Sequence, residues 1–271
     1  MTMPVGPEIQ ADILERLRQI EREEDARILL AVESGSRAWG FHSEDSDYDV
    51  RFIYTRPIDW HLSVRPGRDV IERPISDELD ISGWDLRKTL GLILGSNAVA
   101  LEWLQSPVRY READGFSGAL LEFAQHALRR KPVMWHYLRL AERQMERAHD
   151  KEGRLRLKKF FYALRPALAL RWLRLRPETG VVPMAMDALV EGAGLDASLV
   201  HQIDALIEEK KAAEAALSEE AAEPLMTLVM AEIAEARDTL STDTPETRPD
   251  SLIQADQFHI EWTRRAEGDI L

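Results

Sequence analysis

Asp47 and Asp49 flank Tyr48 in the stretch "ESGSRAWGFHSEDSDYDVRFIYTR", residues 33–56, and the pair Gly35–Ser36 closes the apolar run before them. Along an extended strand successive side chains point to opposite faces. Asp47, Asp49 and Arg51 therefore share one face, and Tyr48, Val50 and Phe52 share the other. Two carboxylates about 6 Å apart in a partly buried site repel by roughly 3 kcal/mol at an effective dielectric near 20. A divalent cation reverses that sign. Mg²⁺ takes oxygen ligands and keeps substrate phosphates in its shell, and two carboxylates on one strand face can hold one such ion or bridge two. A glycine after a strand lets a ligand approach the backbone. A short helix opening at Ser36 would aim free N–H groups at the same mouth, an arrangement suited to phosphate. A phosphate cradle beside a carboxylate pair is the layout needed for phosphoryl or nucleotidyl transfer. By itself, a Ser/Asp-rich stretch is most often a turn with local caps, and Asp45 reads as such a cap. A third acid shifts the balance: Asp80 alternates with Leu79 and Ile81 on a neighbouring strand.

The elements that must position these residues follow from periodicity. Residues 8–25 read as an amphipathic helix and "RILLAVESG" as a buried strand ended by Gly35. "DYDVRFIYT" is the next strand; "WHLSV", "DVIERPI" and "ELDIS" read as short strands. Ser82 and Asp85 have the spacing of a capping box that opens the helix in "SGWDLRKTLGLIL". A short helix spans 97–105, and beyond about residue 112 the pattern is helical. Pro166 falls inside one such helix, where it should bend the axis.

Composition narrows the class. The 271 residues are enough for a sizeable core. There is no cysteine, which excludes disulfides, thiolate zinc sites and a thiol nucleophile. The opening residues lack the basic start and apolar stretch of a signal peptide, and no run reaches the ~18 apolar residues of a membrane span; the reading is cytoplasmic, with no membrane partner. The net charge of −13 argues against a general nucleic-acid coat. Yet residues 129–176 hold fifteen Lys or Arg against four Asp or Glu. A basic segment in an acidic chain points to a focused anionic partner, a polyphosphate or an RNA backbone.

The order strand, G-S, ten residues, D-x-D, strand, then an acid on a later strand resembles the DNA polymerase β nucleotidyltransferase superfamily. "GSRAWGFHSEDSDYDVR", "LDISGWDLRKTL", "ALEWLQSP" and "LKKFFYALRPALALRW" are similar more specifically to its RNA-repair-associated members, predicted nucleotidyltransferases often associated with RNA ligases. The resemblance spans roughly residues 27–175. It implies an α+β fold, a small mixed β-sheet nucleotidyltransferase core flanked by helices (1–112), followed by an all-helical domain (113–271). It implies Asp47 and Asp49 as metal ligands and Asp80 as the third carboxylate, with two Mg²⁺ ions. It also implies Gly35 and Ser36 on the β- and γ-phosphates of an NTP, whose α-phosphate is attacked while pyrophosphate leaves. The implied acceptor is an RNA end, tRNA-like, in repair.

Helical spacing adds Lys158, Tyr162 and Arg165, at i, i+4 and i+7, as a basic line beside the apolar face of Leu157, Phe161, Leu164 and Leu168. That line could close over a triphosphate. Arg51 is expected to tether a carboxylate or touch the triphosphate, and Arg37 to contact phosphate. His42 and Trp39 lie in the same loop, Trp39 as a possible base platform. The motif does not encode the acceptor, so a protein hydroxyl (AMPylation, as in antitoxin-type nucleotidyltransferases) is the alternative, and a nucleotide-binding scaffold without turnover is a third reading.

Overall fold

A computed structural model describes residues 5–43, 45–65, 67–75, 78–148, 155–211, 219–242 and 250–268. Helix α1 (Pro7–Glu24) starts on a proline, whose missing N–H is one the first turn would leave unpaired anyway, and buries Ile13, Leu17 and Ile20. Then come β1 (Arg27–Glu33), α2 (Gly35–Trp39), β2 (Tyr48–Thr55), α3 (Ile58–His61), β3 (Val70–Glu72), β4 (Leu79–Asp85), α4 (Leu86–Leu94), α5 (Ala98–Leu104) and β5 (Arg109–Glu112). The rest is helical: α6 (Phe116–Ala127), α7 (Arg130–Arg147), α8 (Leu157–Leu175), α9 (Met186–Gly192), α10 (Ala197–Lys211), α11 (Glu219–Thr242) and α12 (Leu252–Gly268).

The strands form one mixed sheet in the order β3-β4-β2-β1-β5. β2 and β4 run parallel, and the other neighbours are antiparallel. Strand alternation gives the sheet two apolar faces. Val50, Phe52, Tyr54, Leu79 and Ile81 pack with α1. Leu30, Val32 and Ile53 join a larger core that runs without a break through α4–α8 and α11 to Trp262 of α12. Asp49 and Arg51 alternate with the first set, so they belong to the face that carries the helices. The packing crosses the expected boundary at residue 112: α12 returns to lie against α4 and β2. No helix among the described residues is long and apolar enough to cross a membrane.

Two local expectations are corrected, and one strand is added. "WHLSV" is not a strand. Pro57, lacking an N–H, caps the short helix α3, and Leu62 and Val64 lie exposed with no sheet face to cover them. Ser82 does not cap a helix, because β4 continues through it in parallel register with β2 as far as Asp85. Asp85 alone caps α4, its carboxylate accepting from the Arg87 N–H at 2.8 Å. Arg109–Glu112, too short and charged to read as a strand, pairs with β1 as the sheet edge.

Candidate active site

The site is built where β1 ends. Glu33, the last residue of that strand, is fully buried, accepts the Asp49 N–H at 2.8 Å, and accepts the Tyr110 hydroxyl proton through its other oxygen. The Ser34 N–H donates to the Asp49 carbonyl at 2.8 Å. The chain then turns sharply at Gly35, whose φ is +60°. A Cβ placed there would stand 2.0 Å from the Asp49 Oδ2. Glycine is therefore required twice over, by the left-handed backbone and by the carboxylate pressed against it.

Parallel pairing of β2 with β4 sets Asp49 opposite Asp80. The Arg51 guanidinium, two residues on and on the same face, donates to Asp49 at 2.9 Å and to Asp80 at 2.7 Å, and a second nitrogen reaches the Asp80 carbonyl at 2.9 Å. Arg51 is thus the carboxylate tether that the spacing allowed. Burial pushes the Asp49 carboxyl above its usual range; Arg51 pulls it down, and the charges of Asp80 and Asp47 push it up again. Asp47 stands exposed one residue before β2, close enough for its charge to act on both Asp49 and Tyr162. Asp49 and Asp80 come from different strands, so the pairing itself supplies the convergence that a single strand could not.

Two expected phosphate ligands are placed otherwise. Arg37 is buried, donates to the carbonyls of Ser46 (2.6 Å) and Asp47 (3.3 Å), and lies over the Tyr48 ring at 3.8 Å. It fastens the loop that presents Asp47. Arg165 is also buried: it pairs with Glu102 at 3.0 Å, donates to the Met184 carbonyl at 3.1 Å, and covers the Trp39 ring at 4.7 Å. Its face of α8 packs inward, so it supports the site from behind. Glu102 also accepts from the Tyr137 hydroxyl at 2.9 Å. Lys158 lies in the first turn of α8, and its side chain is outside the described residues. Ser36 sits in α2, half-buried.

Tyr162 lies near enough to Asp49 and Asp47 for their charges to act on it. Burial raises its hydroxyl pKa, and the charges of Asp49 and Asp47 raise it further. It meets Trp39 edge-on at 5.8 Å, while Phe41 stacks on Phe161 at 5.2 Å. These rings join the loop to α8, so Trp39 is part of a wall rather than a free platform. Lys159, not singled out by the spacing argument, stands 6.0 Å from the Tyr162 ring. Part of the basic segment is spent inside the fold: Arg171 and Arg174 both pair with Glu232 of α11 at 2.7 Å. Arg139, Arg143 and Arg147 remain exposed at helical spacing on α7.

Behind Trp39 and Gly40 a cleft of about 680 Å³ opens toward α9 and α10, with Asp187, Glu191, Asp204 and Glu208 on its walls. Four acids make it unsuited to phosphate. Among the carboxylates of the site, Glu33 had no functional signal beyond its place after an apolar run. Its burial depends on Tyr110, whose strand was not legible in the sequence.

The donor set is all oxygen, two carboxylates held by one strand pair and a third beside them, and this fits Mg²⁺ rather than a softer ion. The model of the RNA repair pathway DNA polymerase beta family (RlaP) matches residues 9–261. The Uncharacterized protein YcgL of Bacillus subtilis (strain 168) is 41% identical over 202 residues, which cover 74% of this chain and 76% of that protein. The crystal structure of a nucleotidyltransferase-like protein from Exiguobacterium sibiricum 255-15 covers 92% of this chain and 78% of its own, at 14% identity and a TM-score of 0.26. With its strand-paired carboxylates and a family match over nearly its whole length, the chain belongs to the RNA repair pathway DNA polymerase beta family.

Proposed function

We propose that the chain transfers a nucleoside monophosphate from an NTP to a hydroxyl on an RNA end, with pyrophosphate leaving. The observation that carries this reading is the pairing of Asp49 with Asp80, with Gly35 seated against the Asp49 carboxylate. Asp47, Asp49 and Asp80 would hold Mg²⁺, two ions in this reading; when bound, the metal neutralises developing phosphate charge and makes the attacking hydroxyl more acidic. Asp80 is then the carboxylate that takes up the hydroxyl proton. Gly35 and Ser36 would offer backbone N–H groups, and Ser36 its hydroxyl, to the β- and γ-phosphates. Arg51, released from one carboxylate, would have a phosphate oxygen as its next partner, with Lys159 and Tyr162 of α8 on the opposite side. The aromatic contacts of Trp39 and Phe41 with α8 exclude water from that side.

Two observations favour RNA as acceptor: the family's description and the exposed arginine row on α7, which suits a phosphate backbone. The experiment is incubation with labelled NTPs, Mg²⁺ and RNA ends. The label should move to RNA and vanish when Asp47 and Asp49 are both changed to Ala. Label on a co-purifying protein instead would identify a protein hydroxyl as the acceptor. Tight NTP binding without pyrophosphate release across many acceptors would make the chain a scaffold.

A further inference from the structure

A second group of ligating side chains lies far from the carboxylates. His61 at the end of α3, Asp85 at the end of β4 and His259 in α12 each bring one ligand atom within 4.8 Å of the others. Asp85 is fully buried. Its Oδ1 caps α4, but its Oδ2 has no hydrogen-bond partner. The Nδ1 of His61 and the Nε2 of His259 are likewise buried without a partner. A buried polar atom left without a partner is destabilising. A direct hydrogen bond between Asp85 and one imidazole would satisfy two of these atoms and leave the third; one shared cation satisfies all three.

We propose that His61, Asp85 and His259 form a binding site for a divalent transition metal of the zinc type, which pins α12 to the sheet.

Two imidazole nitrogens and one carboxylate oxygen are borderline donors that select Zn²⁺ and its neighbours over Mg²⁺ or Ca²⁺, which take oxygen throughout. Tetrahedral bonds of about 2 Å need ligand atoms roughly 3.3 Å apart, so closing on the ion requires a small approach of the rings. The outer contacts that orient metal ligands are present. The Nε2 of His61 lies 3.2 Å from the Thr55 hydroxyl, which in turn lies 3.0 Å from the Thr263 hydroxyl of α12. The Arg87 N–H holds the other Asp85 oxygen. Arg56 pairs with Glu24 at 2.9 Å, and Arg87 lies over the Trp60 ring at 5.7 Å, so the nearby cations have partners of their own.

This site is not the catalytic one. From Asp49 to Thr55 is six residues of strand, roughly 20 Å at 3.3 Å per residue. Its three ligands come from positions 61, 85 and 259, so the ion would tie the last helix to the strand pair that carries Asp49 and Asp80.

The test uses the untagged full chain, stripped with a chelator and titrated with Zn²⁺ by calorimetry, with metal content measured after dialysis and Co²⁺ as a spectroscopic probe. The wild type should retain one Zn²⁺ per chain and gain thermal stability with it. His259→Ala should lose more affinity than the ~10–100-fold that changes to outer partners cost. Asp85→Asn keeps a good helix cap and so should fold, yet also lose the ion. Asp49→Asn should keep it, which separates this site from the catalytic carboxylates. No Zn²⁺ bound to the wild type, or binding unchanged in both His259→Ala and Asp85→Asn, overturns the proposal.

Discussion

Arg51 bridges Asp49 and Asp80, donating from one nitrogen to a carboxylate oxygen on each at 2.9 and 2.7 Å. The guanidinium stands between two like charges that adjacent strands bring together, the place for which the proposed divalent cation would compete. Arg51→Met should therefore destabilise the metal-free protein by about 1–2 kcal/mol, a value discounted because the pair is partly exposed. It should also make stability depend more steeply on Mg²⁺. Urea titrations with and without Mg²⁺ read both effects; equal loss in the two conditions would count against the competition.

Gly35→Ala tests the contact between the turn and the Asp49 carboxylate. The new methyl group would meet an unfavourable left-handed backbone and the Oδ2 at once. We expect a stability loss of about 1–2 kcal/mol. Displacing the carboxylate by about 1 Å should lower turnover by on the order of 100-fold. Full activity in a folded Gly35→Ala protein would show that Asp49 needs no such close approach.

Glu33 gives a pH dependence with a definite sign. Burial raises its pKa from 4.5 to about 7, opposed by the Tyr110 and Asp49 hydrogen bonds. Between these values the folded chain binds a proton that the unfolded chain has lost, so stability falls as pH rises from 4.5 toward 7. The whole effect is about 3 kcal/mol, the acid form being favoured at the low end. Glu33→Gln should flatten this part of the profile in denaturation curves taken across the window. A profile as steep in the variant would assign the effect to another group.

The strand pair around the carboxylates is legible in the sequence because a period of two places Asp47, Asp49 and Arg51 against apolar Val50 and Phe52, and because Gly35 punctuates an apolar run. What was not legible depends on long-range pairing. Arg165 reads as cationic on a helix face, but its buried partner Glu102 lies 63 residues away. Glu33 reads as a strand end, and the Asp49 N–H together with Tyr110, 77 residues on, makes it a buried hydrogen-bonded acid. The capping box at Ser82 failed for a similar reason: pairing with β2 held those residues extended, whatever their local preference.

The Glu102–Arg165 pair should act as a support. Both side chains are almost wholly buried, so Glu102→Leu alone strands a buried cation and should cost about 3–5 kcal/mol. Adding Arg165→Met should recover much of that stability, because both charges are then gone. A double variant no more stable than Glu102→Leu would place the cost in packing.

Anomalous diffraction from crystals grown with Mn²⁺ and a non-hydrolysable NTP tests the central claim most directly. The account predicts Mn²⁺ bound by Asp47, Asp49 and Asp80, phosphates against Gly35 and Ser36, and Arg51 turned away from at least one carboxylate. Nucleotide bound elsewhere, with Arg51 still bridging Asp49 and Asp80 and no metal between them, would contradict it.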